Sequence, residues 1–293
     1  MNQDSGFLYA GLSQVLYRGE PFDLGCGVTV RSTYAHLFAA HMMAFGKPLE
    51  GGPHPGPWRA VRGGFGYDIH VEVGIPTTSG LPGAATPEDI AWLISALLRL
   101  ARHPQLLLSA FSDTEFNRIT TIDTEALLRP VEIEPRIFSA PDNMHSSVEF
   151  DDLEWVRLVW PRTAEMLRTN PTFQTSLRAA DACTVKGRPA SAMLMAWGAL
   201  EQLFAPSRTE LRFRVSAQIA AYLERPGPDR HRLFKHVAGL YNARSKAAHS
   251  AQDSEIESLL HSFVILRNAL VRMIDEGSVP NQEDLERLLF FGE

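Results

Sequence analysis

Leu240-Tyr241-Asn242-Ala243-Arg244-Ser245-Lys246-Ala247-Ala248-His249-Ser250 closes a helical segment that begins near Asp229. The apolar stripe of that segment runs Leu233, Val237, Leu240 and then Arg244, at the three- and four-residue steps of one helix face. Burying a guanidinium without a partner costs several kcal/mol, so Arg244 calls for a carboxylate, a phosphate or a subunit interface. Tyr241 precedes Arg244 by three positions and shares its face. Its phenol, which titrates near about 10, is read first as a packing group. His249 follows five residues after the arginine, and Ser254-Glu255-Ile256-Glu257 then reads as a capping box opening the next helix. That places His249 near a helix C-terminus, where the dipole favours its protonated form.

Working outward, the chain from Asp151 onward keeps a helical period. The segments are Asp151–Thr169, Pro171–Val185, Pro189–Phe204, Glu210–Glu224, Asp229–Ala248, Ser254–Asp275 and Asn281–Leu289. Pro161 is expected to kink or split the first of them, and Pro226-Gly227-Pro228 to separate two others. Consecutive amphipathic helices with short joints predict a bundle. Within it, Glu201 lies beside Leu194, Trp197 and Leu200 at helical spacings and needs a partner, or else sits at the rim of the stripe.

Before the polar stretch Asp142–Glu149 the pattern differs, which gives a boundary between residues 1–148 and 149–293. Cys26–Val30, Asp68–Val73, Leu106–Phe111 and Val131–Phe138 read as strands, and Glu88–Arg102 as a helix capped by Thr86. Gly46–Gly66, rich in glycine and proline, is expected to be a loop or insertion. Its end, Arg62-Gly63-Gly64-Phe65-Gly66, lacks the Gly-Lys-Ser/Thr of a phosphate cradle. His36 and His41 stand five apart, not the four that would put two ligands on one helical face. The first half is thus an α+β domain with no catalytic constellation of its own, and the second is all-α. The second half is long enough to be expected to fold by itself, as a helical dimer.

The composition is that of an ordinary globular chain, 45% hydrophobic and 21% charged. Residues 1–150 hold 10 Lys and Arg against 16 Asp and Glu, whereas residues 151–293 hold 18 of each. Inside that balanced half, residues 205–250 carry nine basic groups against Glu210, Glu224 and Asp229, a local excess that suits a polyanion or a solvated helix face. Cys26 and Cys183 have neither disulfide-framework nor metal-ligand spacing. No run of eighteen apolar residues and no secretory leader pattern occurs, so no membrane partner and a cytoplasmic setting are expected.

Two elements about forty residues apart, Ala199-Leu200-Glu201-Gln202-Leu203-Phe204 and Leu240-Tyr241 through Arg244-Ser245 to His249, resemble the pattern of HEPN domains, in the ApeA-like branch. The resemblance covers roughly residues 151–293, and Ser245 stands where many HEPN domains carry Asn, Asp or His. It implies a HEPN-type helical bundle and a metal-independent RNA endonuclease without a cofactor, in a toxin or antiphage-defence role. His249 would be the general acid–base, Arg244 would stabilise charge on phosphoryl oxygens, and Glu201 would orient Arg244. Lys246, Ser245 and Tyr241 make up the neighbouring substrate-binding set. Residues five apart on a helix point roughly 140° from each other. Either the helix therefore unwinds near Ala247-Ala248, or the site is completed across a two-fold axis. The resemblance implies the second, a homodimer acting on RNA, with residues 1–148 receiving a ligand or protein trigger. The alternative is a non-catalytic HEPN module that binds nucleotide or RNA or serves for dimerisation, with Arg244 paired to Glu201 for structural reasons.

Overall fold

A computed structural model describes residues 6–78, 80–122, 125–136, 146–185, 187, 189–204, 210–247 and 256–292, with the backbone alone at residues 40, 62, 246 and 247. The N-terminal half is built on a six-stranded antiparallel sheet in the order β3-β4-β5-β1-β6-β7. Its strands are β1 (Phe7–Ser13), β3 (Phe22–Gly25), β4 (Val28–Ala44), β5 (Trp58–Pro76), β6 (Leu107–Ser112) and β7 (Leu128–Pro130). A short β2 (Val15–Leu16) pairs in parallel with β8 (Ser146–Ser147). Helix α1 (Pro87–Ala101) starts on Thr86, whose hydroxyl accepts from the Asp89 amide while Asp89 accepts from Thr86. It buries Ile90, Leu93, Ile94 and Leu97 in one cluster with Leu12, Val30, Val71 and Val73 of the sheet.

Three expectations for this half are corrected. Cys26 belongs to a turn, Gly25-Cys26-Gly27, in which all three residues have positive φ, and β4 begins after it. The segment expected as a loop over residues 46–66 becomes strand from Trp58, because pairing with β4 supplies the order that local composition does not. The register shifts between Ala39 and His41, opposite Gly63 and Gly64, whose φ values of 140° and 98° suit glycine and absorb the extra residues of the bulge. Past residue 34 of β4 and before residue 69 of β5, the two strands pair with each other alone and form a ribbon. Phe38, Met42 and Trp58 stand exposed along it, Phe38 at 70%. The strand expected over Val131–Phe138 is instead the shorter β7 upstream of it, with one bridge from Arg136 to Val185; residues 137 and 138 lie outside the described residues.

The C-terminal half is helical, as its period predicts: α2 (Phe150–Thr169), α3 (Pro171–Ala182), α4 (Pro189–Phe204), α5 (Leu211–Leu223), α6 (Pro228–Ala247), α7 (Ile256–Glu276) and α8 (Gln282–Phe290). Of the kink or split expected at Pro161, the split does not occur: α2 continues through it, and buried Val159, Trp160 and Ala164 on either side hold it where one backbone hydrogen bond is missing. Asn170 caps α3 and Asn281 caps α8 through their side-chain oxygens. The capping box expected at Ser254 lies outside the described residues.

The boundary at residue 148 is a change of secondary structure and not a gap in the core. One buried cluster runs from the sheet through α1 to Trp160, Trp197, Tyr222 and Ile274. Trp160 Nε1 donates to the Leu24 carbonyl at 2.8 Å, and Gly83, at φ 67°, lies so close on α2 that a Cβ there would strike the Ala164 carbonyl. Asp181 of α3 accepts from Trp92 at 2.9 Å and from Arg99 at 2.7 Å, and pairs with Arg136 at 3.1 Å. Glu132 completes the network with both arginines, at 2.6 and 2.8 Å. Among the described residues, no helix is long and apolar enough to cross a membrane.

Candidate functional site

Helix α6 starts at Pro228 after the Pro-Gly pair and is held at that end by Arg230, which donates to the carbonyls of Glu224 and Leu288 at 2.8 and 3.0 Å. Farther along, Val237 and Leu240 sink into the bundle and Tyr241 meets Trp197 of α4 edge to face, ring centroids 5.1 Å apart. Trp197 in turn donates to Ser262 of α7 at 3.0 Å, so three helices converge beneath the motif. One turn beyond, Arg244 leaves the core for its rim, with 26% of its side chain exposed, and pairs with Glu201 of α4 at 3.1 Å. Glu201 is 20% exposed, and its neighbours Trp197 and Leu200 are wholly buried while Leu194 is 40% exposed. The carboxylate therefore stands at the edge of the apolar stripe.

Arg244, Glu201 and Tyr241 come together: the guanidinium carbon lies 5.3 Å from the tyrosine ring centroid. Arg244 Nε is buried without a hydrogen-bond partner among the described residues, whereas Glu201 Oε1 faces Arg244 at 3.1 Å, so the guanidinium is the group with bonding capacity left. Burial raises the Tyr241 phenol above its usual pKa, and the Glu201 carboxylate adds to this while Arg244 opposes it. A phenol so placed stays protonated and packs, as expected. Ser245 is exposed, its hydroxyl donating to the Tyr241 carbonyl at 3.2 Å. His249 and the Lys246 side chain lie outside the described residues.

The basic run divides into engaged and free groups. Arg230, Arg232 and Arg244 are held by carbonyls or carboxylates. Arg212, Arg214, Arg225 and Lys235 are exposed and have no carboxylate partner among the described residues, and Arg208 lies outside them. Sequence reading passed over two arrangements because each needs a contact between separate helices. His236 of α6 meets His261 of α7 with centroids 5.2 Å apart, and burial together with that neighbour lowers its pKa. The second is an open groove of about 770 Å³ between the start of α5 and the first half of α6, lined by Arg212, Phe213, Phe234 and Lys235 among others. Among the described residues, no group of three or more His, Cys, Asp or Glu is placed to hold a metal ion. Cys183 is buried beside Asp181 and its thiol is pushed up to about 12, which leaves it unreactive near neutrality.

Compared with known proteins, the chain matches no protein-family model, no curated protein and no solved structure.

Proposed function

We infer that the protein is a metal-independent RNA endonuclease of HEPN type, acting as a homodimer through its helical half. The observation that carries the reading is the Arg244–Glu201 pair, a guanidinium fixed on one side by a carboxylate and partly open to solvent on the other. So held, Arg244 would meet a phosphate with its orientation already set and would stabilise charge developing on the phosphoryl oxygens. His249 would take the proton of a ribose 2′-hydroxyl as it attacks the adjacent phosphorus and return one to the leaving 5′-oxygen. Lys246 and Ser245 would contact the same backbone. Leu194, Met195, Gly198 and Glu201 follow one another along the outer side of α4, an apolar edge ending at the pair, and this favours a second copy placed there. Residues 1–148 would receive the ligand or protein that triggers cleavage, in a toxin or antiphage role.

The test is cleavage of a single-stranded RNA by the full chain and by His249→Ala, with and without EDTA. The expected result is 2′,3′-cyclic phosphate or 3′-phosphate ends from the wild type, undiminished by EDTA, and loss of at least about 100-fold in rate in the variant. A variant that cuts at the wild-type rate sinks the mechanism, as does activity that EDTA abolishes and magnesium restores. RNA binding with no cleavage by the wild type would instead establish the non-catalytic module.

A further inference from the structure

We propose that the groove between α5 and α6 is a subsite for unpaired RNA, in which a base stacks on Phe213 and the flanking phosphates meet Arg212 and Lys235. The proposal rests on the RNA-directed reading above and adds the form of substrate and the place it binds.

Phe213 is 60% exposed although it stands in the first turn of a helix, and its ring meets Phe234 edge to face with centroids 5.6 Å apart. One aromatic face is thereby fixed in place and left open, which is what a stacked base needs and what a packed core does not produce. The groove's volume, about 770 Å³, is within the range of small-molecule sites. Its charge is placed for an anion. Arg212 and Lys235 line it from opposite helices without carboxylate partners among the described residues, and it opens at the N-terminal end of α5, the positive end of the helix dipole. Among the described residues, Glu210 is the one carboxylate lining it, and it makes no side-chain hydrogen bond to the start of α5.

Position relates the groove to the motif. Lys235, Ala238, Asn242 and Ser245 recur along α6 at three- and four-residue steps, so one strip of surface leads from the groove to Ser245. Ala238 to Ser245 is seven residues, about 10 Å along the helix axis. A single strand seated in the groove by a base would therefore run its backbone along this side of α6 to Ser245, the residue next to Arg244. Stacking on an exposed ring requires an unpaired base, so the subsite would select single strands over duplex without reading sequence.

The experiment is fluorescence anisotropy with labelled single-stranded RNA of about ten nucleotides, carried out on the full chain across a salt series. His249→Ala is the common background, so that cleavage does not interfere. Phe213→Ala is expected to weaken binding about fivefold or more, the low end of one base–aromatic stack, and Phe213→Trp to restore it. Arg212→Ala with Lys235→Ala is expected to reduce the slope of log affinity against log salt by about 1.4, about 0.7 for each lost phosphate contact. A blunt RNA duplex is expected not to distinguish Phe213→Ala from its parent. The thermal midpoint checks that both variants are folded, and the charge variant leaves the aromatic contact in place should Phe213→Ala disturb it. Tight, salt-dependent binding that neither variant changes would overturn the groove and leave the proposed nuclease standing. No binding by the parent at physiological salt would overturn both.

Discussion

Asp181→Asn is the substitution that best tests the joining of the two halves. The asparagine keeps the shape of the side chain and can still accept from Trp92, but it removes the charge and turns a donor toward a guanidinium. Arg99 and Arg136 would be left with Glu132 as their carboxylate, although their side chains are only 4% and 2% exposed. Removing one member of a buried ion network costs about 3–5 kcal/mol, because the remaining charge is desolvated and under-compensated. At about 2 °C per kcal/mol for a chain of this size, the thermal midpoint should fall by roughly 6–10 °C.

The pH dependence has a definite sign. Burial alone would raise the Asp181 carboxyl, but the Arg99 and Arg136 guanidiniums outweigh it and hold the group below its ordinary value. A carboxylate depressed in the folded state contributes its stability fully above the unfolded pKa, about 3.9, and loses it as pH falls through the lower folded value. The gap between wild type and variant should therefore be flat from neutral pH down to about 5 and close below about 4. Urea titrations at several pH values, followed by near-ultraviolet circular dichroism, measure it. A variant within about 1 kcal/mol of wild type at neutral pH would show that these charges do not hold the junction.

Two further predictions concern the core and the site. A fragment beginning at Phe150 should be soluble only as a molten species that binds a hydrophobic dye and lacks near-ultraviolet dichroism, because Leu153, Val156 and Trp160 belong to the cluster completed by residues 1–148; sharp cooperative unfolding would refute it. Arg244→Lys should lower the thermal midpoint by no more than about 2 °C, since its pair with Glu201 is partly solvated, yet should sharply reduce RNA cleavage, because an ammonium does not reproduce the guanidinium fork; equal cleavage rates would remove Arg244 from the chemistry.

The helical half is legible in the sequence because local signals and final structure agree there. Each proposed helix from α2 to α8 occurs within a few residues of its expected ends, and Pro171, Pro189 and Pro226-Gly227-Pro228 punctuate the chain where the helices start or break. That Arg244 and Glu201 each need a partner is legible in their apolar stripes, whereas their pairing with each other is implied only by the family resemblance. The ribbon could not. Ala39-Ala40-His41-Met42-Met43 has no alternation and no β-branched residue, and it is a strand because Trp58–Val61 pairs with the same segment. The turn at Gly25–Gly27 and the bulge at Gly63-Gly64 likewise depend on which strands become neighbours. The charge network that joins the halves is not legible either, because the partners of Asp181 are far away in sequence, Arg99 by 82 residues and Arg136 by 45.

That shared junction bears on how the N-terminal half would govern a site in the helical one. Arg244 takes its position from Glu201 and Trp197 on α4, and α4 packs along α3. Asp181, on the last turn of α3, is fastened to α1 through Arg99 and to the segment after β7 through Arg136 and Glu132. One path from sheet to site therefore runs through α3, held by charge, beside the apolar core that the two halves share. A trigger bound to residues 1–148 could act on Arg244 only by binding differently to two arrangements of that junction, since a ligand indifferent to them shifts no equilibrium. Buried ion networks suit such a role, because their energy depends steeply on geometry and a displaced guanidinium finds no water to replace its lost partner.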